Sequence, residues 1–328
     1  MKVRIYFSIC YFLIAANWLA AQTCCSGGVP VASNLGLPPS EAGAIQFSLG
    51  YDLNVLETLK TGRETLEDDS RSRKTHTGII ELGYAFSNKF SVDAFFSYVR
   101  QEREISQFNN VNFLATNGIG DAVLLFKYKL FSTPDNSTLF QIGAGPKLPL
   151  GASDRQNEQG LALNADLQPG SGAWDLVTWG QFAQVLPFRP SMSLNLTAIF
   201  STKGTNDAYL GSQDYQFGNE LQLALGISER ITIGNSLFDP AITLRYRQQS
   251  EDVLNDFAVP STGGNWIFIN PSISYWVSPD ISFEAAVTVP LQANITGTQV
   301  TPTYRFRTGI FYRIPSKKQS NQPIKISF

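Results

Sequence analysis

The sequence predicts an all-β fold, a closed antiparallel transmembrane β-barrel of about 12 strands. Three observations point there. Apolar and polar residues alternate one by one through segment after segment, the spacing that gives a strand two unlike faces. Nearly every charge in these segments falls on the polar parity, while the other parity is almost wholly aliphatic or aromatic. Short turns and longer polar connections also alternate, as periplasmic turns and external loops do in outer-membrane barrels. A soluble sandwich needs apolar residues inside and charges outside. An apolar face repeated on this many strands would aggregate in water. In lipid it is required, and closure leaves no strand edge unpaired.

The first strand, from Ile45 to about Glu57, sets the pattern. Ile45, Phe47, Leu49, Tyr51 and Leu53 share the lipid face, and Gln46, Ser48, Gly50, Asp52 and Asn54 the inner one. A charged loop is expected over 58–73. The second strand puts Ile80, Leu82, Tyr84 and Phe86 outward and Glu81 inward, then turns at Ser87-Asn88-Lys89. The third puts Phe90, Val92, Ala94, Phe96 and Tyr98 outward, with Asp93 and Phe95 inward. A long polar loop is expected from about Glu104 to Asn117. The fourth alternates Ala122, Leu124, Phe126, Tyr128 and Leu130 with inward Asp121, Lys127 and Lys129, and the fifth carries Lys147 inward.

A Gly/Asn/Asp/Gln-rich loop follows, from about Gly151 to Gly172. The sixth strand, near Ala173 to Leu186, does not alternate cleanly and its facing stays open. The seventh turns Met192, Leu194 and Leu196 outward. The eighth sets Leu221, Leu223 and Leu225 against Glu220, and the ninth Ile242, Leu244 and Tyr246 against Arg245 and Arg247. The tenth places Phe268 inward, the eleventh Glu284, and the twelfth Arg305, Arg307 and Phe311.

The chain has 328 residues and a net charge of −2. Charged residues make up 16%, below the roughly 25% of soluble domains. The near-neutral charge, with no basic patch among aromatics, gives no sign of nucleic acid as a partner. After the leader no apolar run is long enough for a spanning helix. Residues 1–21 read as a signal peptide: Lys2 and Arg4, an apolar stretch from Ile5, then Leu19-Ala20-Ala21 before the cut. Residues 22–42 read as an irregular arm, in the periplasm or in the barrel mouth. Residues 43–314 form the barrel, and 315–328 a polar tail. Of three Cys, Cys10 leaves with the leader. Cys24 and Cys25 lack the residues expected before a lipid-modified cysteine, and without nearby His they make no zinc site.

The candidate site is the inward set. Asp52, Glu81, Asp93 and Asp121 sit on the first four strands, Lys127, Lys129 and Lys147 on the fourth and fifth. Glu220 precedes Arg245 and Arg247, and Glu284 neighbours Arg305 and Arg307. Both signs are present and neither forms a ring, which favours mutual pairing that stiffens the wall over charge selection. Phe95, Phe268 and Phe311 are the inward aromatics, placed to pack or to touch an apolar solute. The single histidine, His76, has outward parity, and Ser70 and Ser72 lie on the expected loop, so no hydrolase geometry is fixed. No metal-ligand spacing or phosphate loop is found, and no cofactor is expected.

Two segments add a resemblance. Gly118-Ile119-Gly120-Asp121, followed by A-V-L-L-F-K-Y-K-L, and Gln168-Pro169-Gly170-Ser171-Gly172-Ala173-Trp174-Asp175 resemble outer-membrane proteins of the phenol meta-pathway type, related to the long-chain fatty-acid channels. The Cys24-Cys25-Ser26-Gly27-Gly28 start resembles members from Bacteroidetes-like bacteria. The resemblance implies a barrel passing hydrophobic or aromatic small molecules, with the glycines and aspartates of the two segments as structural positions. The expected partners are the outer-membrane bilayer, a small-molecule solute and the insertion machinery, which reads a terminal aromatic, here Tyr312 or Phe328. Uptake through a channel is the leading expectation. A sealed surface-interaction barrel and an outer-membrane lipid-modifying enzyme are the alternatives.

Overall fold

The computed structural model describes residues 41–107 and 110–316. The leader, nearly all of the arm with Cys24 and Cys25, and the tail from residue 317 with Phe328 lie outside the described residues. Twelve long strands make the wall: β1 (Ile45–Thr61), β2 (Arg71–Ala85), β3 (Phe90–Gln107), β4 (Ala122–Ser132), β5 (Thr138–Leu148) and β6 (Asp175–Leu186) in the first half. The second half is β7 (Arg189–Thr202), β8 (Glu220–Glu229), β9 (Ser236–Gln249), β10 (Gly264–Ser278), β11 (Ile281–Ile295) and β12 (Thr298–Ile314). Each pairs antiparallel with its sequence neighbours, and β12 returns to β1 from Ile45↔Ile314 to Thr61↔Thr298, which closes the barrel.

Closure removes the edge that lipid cannot hydrate. The outward parity forms an exposed apolar belt that includes Leu49, Ile80, Tyr98, Leu225, Ile242 and Phe306. Near the periplasmic turns Tyr84, Phe86, Phe90 and Phe126 meet ring to ring in sequence, with centroids 4.8, 5.7 and 6.4 Å apart, as in an interfacial girdle. The wall is tightest between β4 and β5. A Cβ on Gly145 would lie 1.7 Å from the Leu124 carbonyl oxygen, so no side chain fits there.

Two expected loops and one further connection are built as strand in part. The polar stretch after β3 is a hairpin arm, in which Asn110–Ile119 pairs with Tyr98 to Gln107. The charged stretch after β1 is strand at both ends, since β1 runs to Thr61 and β2 starts at Arg71. Residues 290–303 continue β11 and β12, joined only by Thr296 and Gly297, so that external connection is short. The cause is common to all three. Above the bilayer no lipid holds one face of a strand apolar, so the strict contrast is no longer required while the backbone ladder continues.

Over the mouth, Thr205–Tyr209, Gln213–Gln216, Val253–Leu254 and Phe257–Ala258 form a small second sheet. It packs Tyr209, Tyr215 and Phe217 against Ala165 of the long loop 149–174.

Candidate functional site

The buried parity of the wall carries the charges, and most of them are paired. Near the periplasmic end Asp93 pairs with Lys127, and Glu284 with Arg307 at 2.7 Å. Glu81, 8% exposed, lies within the field of both pairs. Lys129 sits half-buried below them, and Phe311 is buried on β12. Higher up, Arg305 Nε donates to both oxygens of Asp52, at 2.8 and 2.7 Å, and Arg247 pairs with Glu220 at 2.9 Å. The guanidiniums of Arg245 and Arg247 lie over the rings of Phe268 and Trp266, at 4.8 and 5.1 Å. Glu284 takes Arg307 rather than Arg305, whose partner comes from β1.

Between these charges lies an apolar facet: Ile79, Phe95, Val123, Leu125, Val177, Trp179 and Ile199 pack as one cluster on the buried parity of β2, β3, β4, β6 and β7. Trp179 and the facing of β6 escape the sequence. On β6 the buried parity mixes Asp175 and Gln181 with Val177 and Trp179, and the outward parity includes Thr178, Gly180 and Gln184, so neither side reads as greasy.

The two segments quoted for the resemblance meet in space. Asp121, 1% exposed, accepts from Lys147 Nζ at 2.9 Å, from the Ser171 N–H at 3.0 Å and hydroxyl at 2.7 Å, and from the Gly151 N–H at 3.2 Å. Lys147 also pairs with Asp175 at 2.9 Å, and Asp175 with Lys203 at 3.2 Å. A Cβ on Gly170 would lie 2.5 Å from Gly151 backbone atoms, so the two ends of the loop touch through bare backbone. This buried knot of two carboxylates and two ammoniums pulls loop 149–174 against the inner wall. The loop then crosses to β2 and β3. Gln101 Nε2 donates to the Gln168 carbonyl at 2.9 Å, and Arg73 pairs with Asp166 at 2.5 Å. Lys203, Arg73 and Asp166 carry no sequence signal, because each acts through a partner far along the chain.

Above the loop the mouth holds a cavity of about 620 Å³. Tyr215 at its side donates to Asp252 at 2.6 Å, and burial, then the Asp252 charge, push its phenol well above the ordinary tyrosine range. His76 lies apart from all of this. It bonds the exposed Tyr51 hydroxyl at 2.7 Å through Nδ1, while Ser72 turns to Glu57.

A closed twelve-strand cylinder with an apolar belt outside and its ions buried within is an outer-membrane β-barrel. The chain belongs to the family described as "Putative MetA-pathway of phenol degradation", which matches residues 105–308. The fold is similar to that of an outer membrane channel from Pseudomonas putida F1, at 14% identity and TM-score 0.66, over 88% of this chain and 100% of that one. Looser likenesses are the β domain of the Bordetella autotransporter BrkA (10% identity, TM-score 0.46, 83% and 100% covered) and the CymD monoaromatic hydrocarbon channel (13%, 0.42, 92% and 99%). No curated protein sequence matches the chain.

Proposed function

We propose that this barrel is a channel for passive passage of small hydrophobic or aromatic solutes across the outer membrane. One observation carries the reading: a seven-residue apolar facet, Phe95 and Trp179 among it, on the buried parity of a barrel most of whose charges are paired. Paired charges attract mobile ions weakly. An apolar facet gives an uncharged ring a surface from which little water must be stripped. The family's description and the printed name of the Pseudomonas channel point the same way.

In this reading Asp52, Glu81, Asp93, Asp121, Lys127, Lys129, Lys147, Glu220, Arg245, Arg247, Glu284, Arg305 and Arg307 stiffen the lumen and set its polarity. Phe95, Phe268 and Phe311 offer ring contacts. Residues 1–21 direct export, the arm 22–42 and tail 315–328 flank the barrel, and Tyr312 or Phe328 is read by the insertion machinery. The protein transports without catalysing. The loop knotted into the upper barrel favours a second reading, a sealed barrel that acts through its surface.

Solute flux into proteoliposomes separates the two. Phenol-sized neutral aromatics entering faster than sugars of like size support the channel. No flux of either through correctly inserted protein assigns the molecule to the sealed class.

A further inference from the structure

The geometry assigns a small cavity on the lumen side of the wall, beside Glu81, as a binding site for a single compact monovalent cation. The cavity measures about 20 Å³. Roughly 10–15 Å³ is enough for one water, and a bare alkali ion needs no more. Ser48 and Gly50 of β1, Glu81 of β2, Glu284 of β11, and Arg307 and Gly309 of β12 line it. The room comes from glycine. Gly50 and Gly309 stand opposite each other in the ladder, both on the inward parity, so two adjacent strands leave bare backbone where other positions send side chains.

Glu81 is the ion this part of the wall leaves over. It is 8% exposed, and its side chain makes no hydrogen bond or ion pair among the described residues. Each cation close to it already has a carboxylate. Arg307 holds Glu284 at 2.7 Å, and Lys127 holds Asp93. Three carboxylates therefore share two cations, and the group carries one net negative charge. The neighbouring ions do not change the count. Arg305 and Asp52 balance each other, and Lys129 lies at the periplasmic turn, where its N–H meets the Lys89 carbonyl at 2.8 Å. A buried carboxylate without a counter-ion is costly, so it takes up either a proton or a cation. A proton needs no space. Here a space of one ion's size stands open against the carboxylate, and Ser48 and Glu284 bring further oxygen to it, the ligand type hard cations take. One missing charge and room for one ion specify a monovalent species without an organic body.

The site does not rest on the channel reading, since an ion can bind here without any flux. The test is thermal unfolding of the detergent-solubilised full chain in potassium chloride and in choline chloride of equal strength. Choline carries the same charge and is far too large for the cavity. Potassium is expected to raise Tm over choline by roughly 3–6 °C, the shift for an ion at tenfold its dissociation constant in a domain of this size. Glu81→Gln should abolish the difference. Gly50→Ala should abolish it too, because it keeps the carboxylate and puts a methyl into the cavity. That Cβ would meet only the Thr308 carbonyl oxygen, at 3.6 Å, so the wall accepts it. The glycine variant keeps the test decisive where Glu81→Gln folds poorly. Equal Tm in the two salts for wild type overturns the assignment and leaves Glu81 as an acid that holds its own proton. A potassium effect that survives either substitution overturns it as well, because the ion then sits elsewhere. Flux of neutral aromatics in liposomes is scored separately. A potassium effect without flux would leave this site standing and sink the channel, and flux without a potassium effect would do the reverse.

Discussion

Lys147 is the residue whose loss the fold should feel most. Its ammonium lies between two carboxylates, Asp121 and Asp175, at 2.9 Å from each. All three side chains are almost wholly buried. Lys147→Met keeps the length of the side chain and removes its charge. Asp121 retains the Ser171 and Gly151 donors, and Asp175 retains Lys203 and the Gly204 N–H at 3.1 Å, so neither carboxylate is bare. Two negative charges nevertheless remain with one cation. Removing one partner of a buried pair costs about 3–5 kcal/mol, and the surviving donors place this case near the lower end, about 3 kcal/mol. That cost falls on the docking of loop 149–174, so the equilibrium for its release should rise roughly a hundredfold, at 1.4 kcal/mol per factor of ten. Hydrogen exchange and limited proteolysis within 152–163, in micelles, report this opening directly. Adding Asp121→Asn to Lys147→Met removes the surplus charge and should recover about half of the loss. Loop protection within twofold of wild type in Lys147→Met would show that the knot does not hold the loop, as would a double variant no better than the single one.

Three further outcomes follow from the same geometry. Asp93→Asn strands the Lys127 ammonium in the lumen, so reversal potentials in planar bilayers should shift toward anion preference; an unchanged potential would place that pair off the conducting path. Trp179→Ala removes the largest ring of the apolar facet, worth about 1 kcal/mol of contact, and aromatic flux relative to sugar flux should fall about fivefold in liposomes. Tyr215 has a raised phenol pKa, caused first by burial and then by Asp252. Its folded state therefore holds the proton more tightly than the unfolded one. The stabilisation is complete below the ordinary tyrosine value of 10.0 and declines as pH rises above it. Alkaline titration followed by phenolate absorbance should show loop opening in wild type and a flatter profile in Tyr215→Phe.

The strands were legible where lipid touches them. On β1, β3 and β8 the bilayer imposes a contrast between adjacent residues, so Leu49 and Asp52, or Phe96 and Asp93, declare their sides. Three kinds of feature were not legible. Strand extensions such as Gln299 to Thr301, and the arm Asn110–Ile119, lie above the apolar belt, where lipid does not hold one face of a strand apolar, and there a strand reads as a loop. β6 hides because Gly180 and Gln184 dilute its outer face. The site itself was half visible. Asp52, Asp93 and Lys127 follow from parity, whereas the Arg73–Asp166 tie spans 93 positions and Asp175–Lys203 joins a strand start to a loop. Pairings over such distances are set by how the loops fold back, which local pattern does not encode. Asp121 and Asp175 were flagged by their short motifs as structural, and the knot gives the reason.

The lumen is defined by which way the two parities point. Nitroxide labels placed one at a time at Leu49, Phe96, Leu225 and Phe306, and at Asp93, Lys127, Glu220 and Arg305, measure this in liposomes when the native cysteines are replaced by serine. The first four should be reached by lipid-dissolved oxygen and shielded from a water-soluble nickel chelate. The second four should be shielded from the lipid phase. Oxygen accessibility at Asp93 or Arg305 equal to that at Phe96 would contradict a barrel with its ions inside.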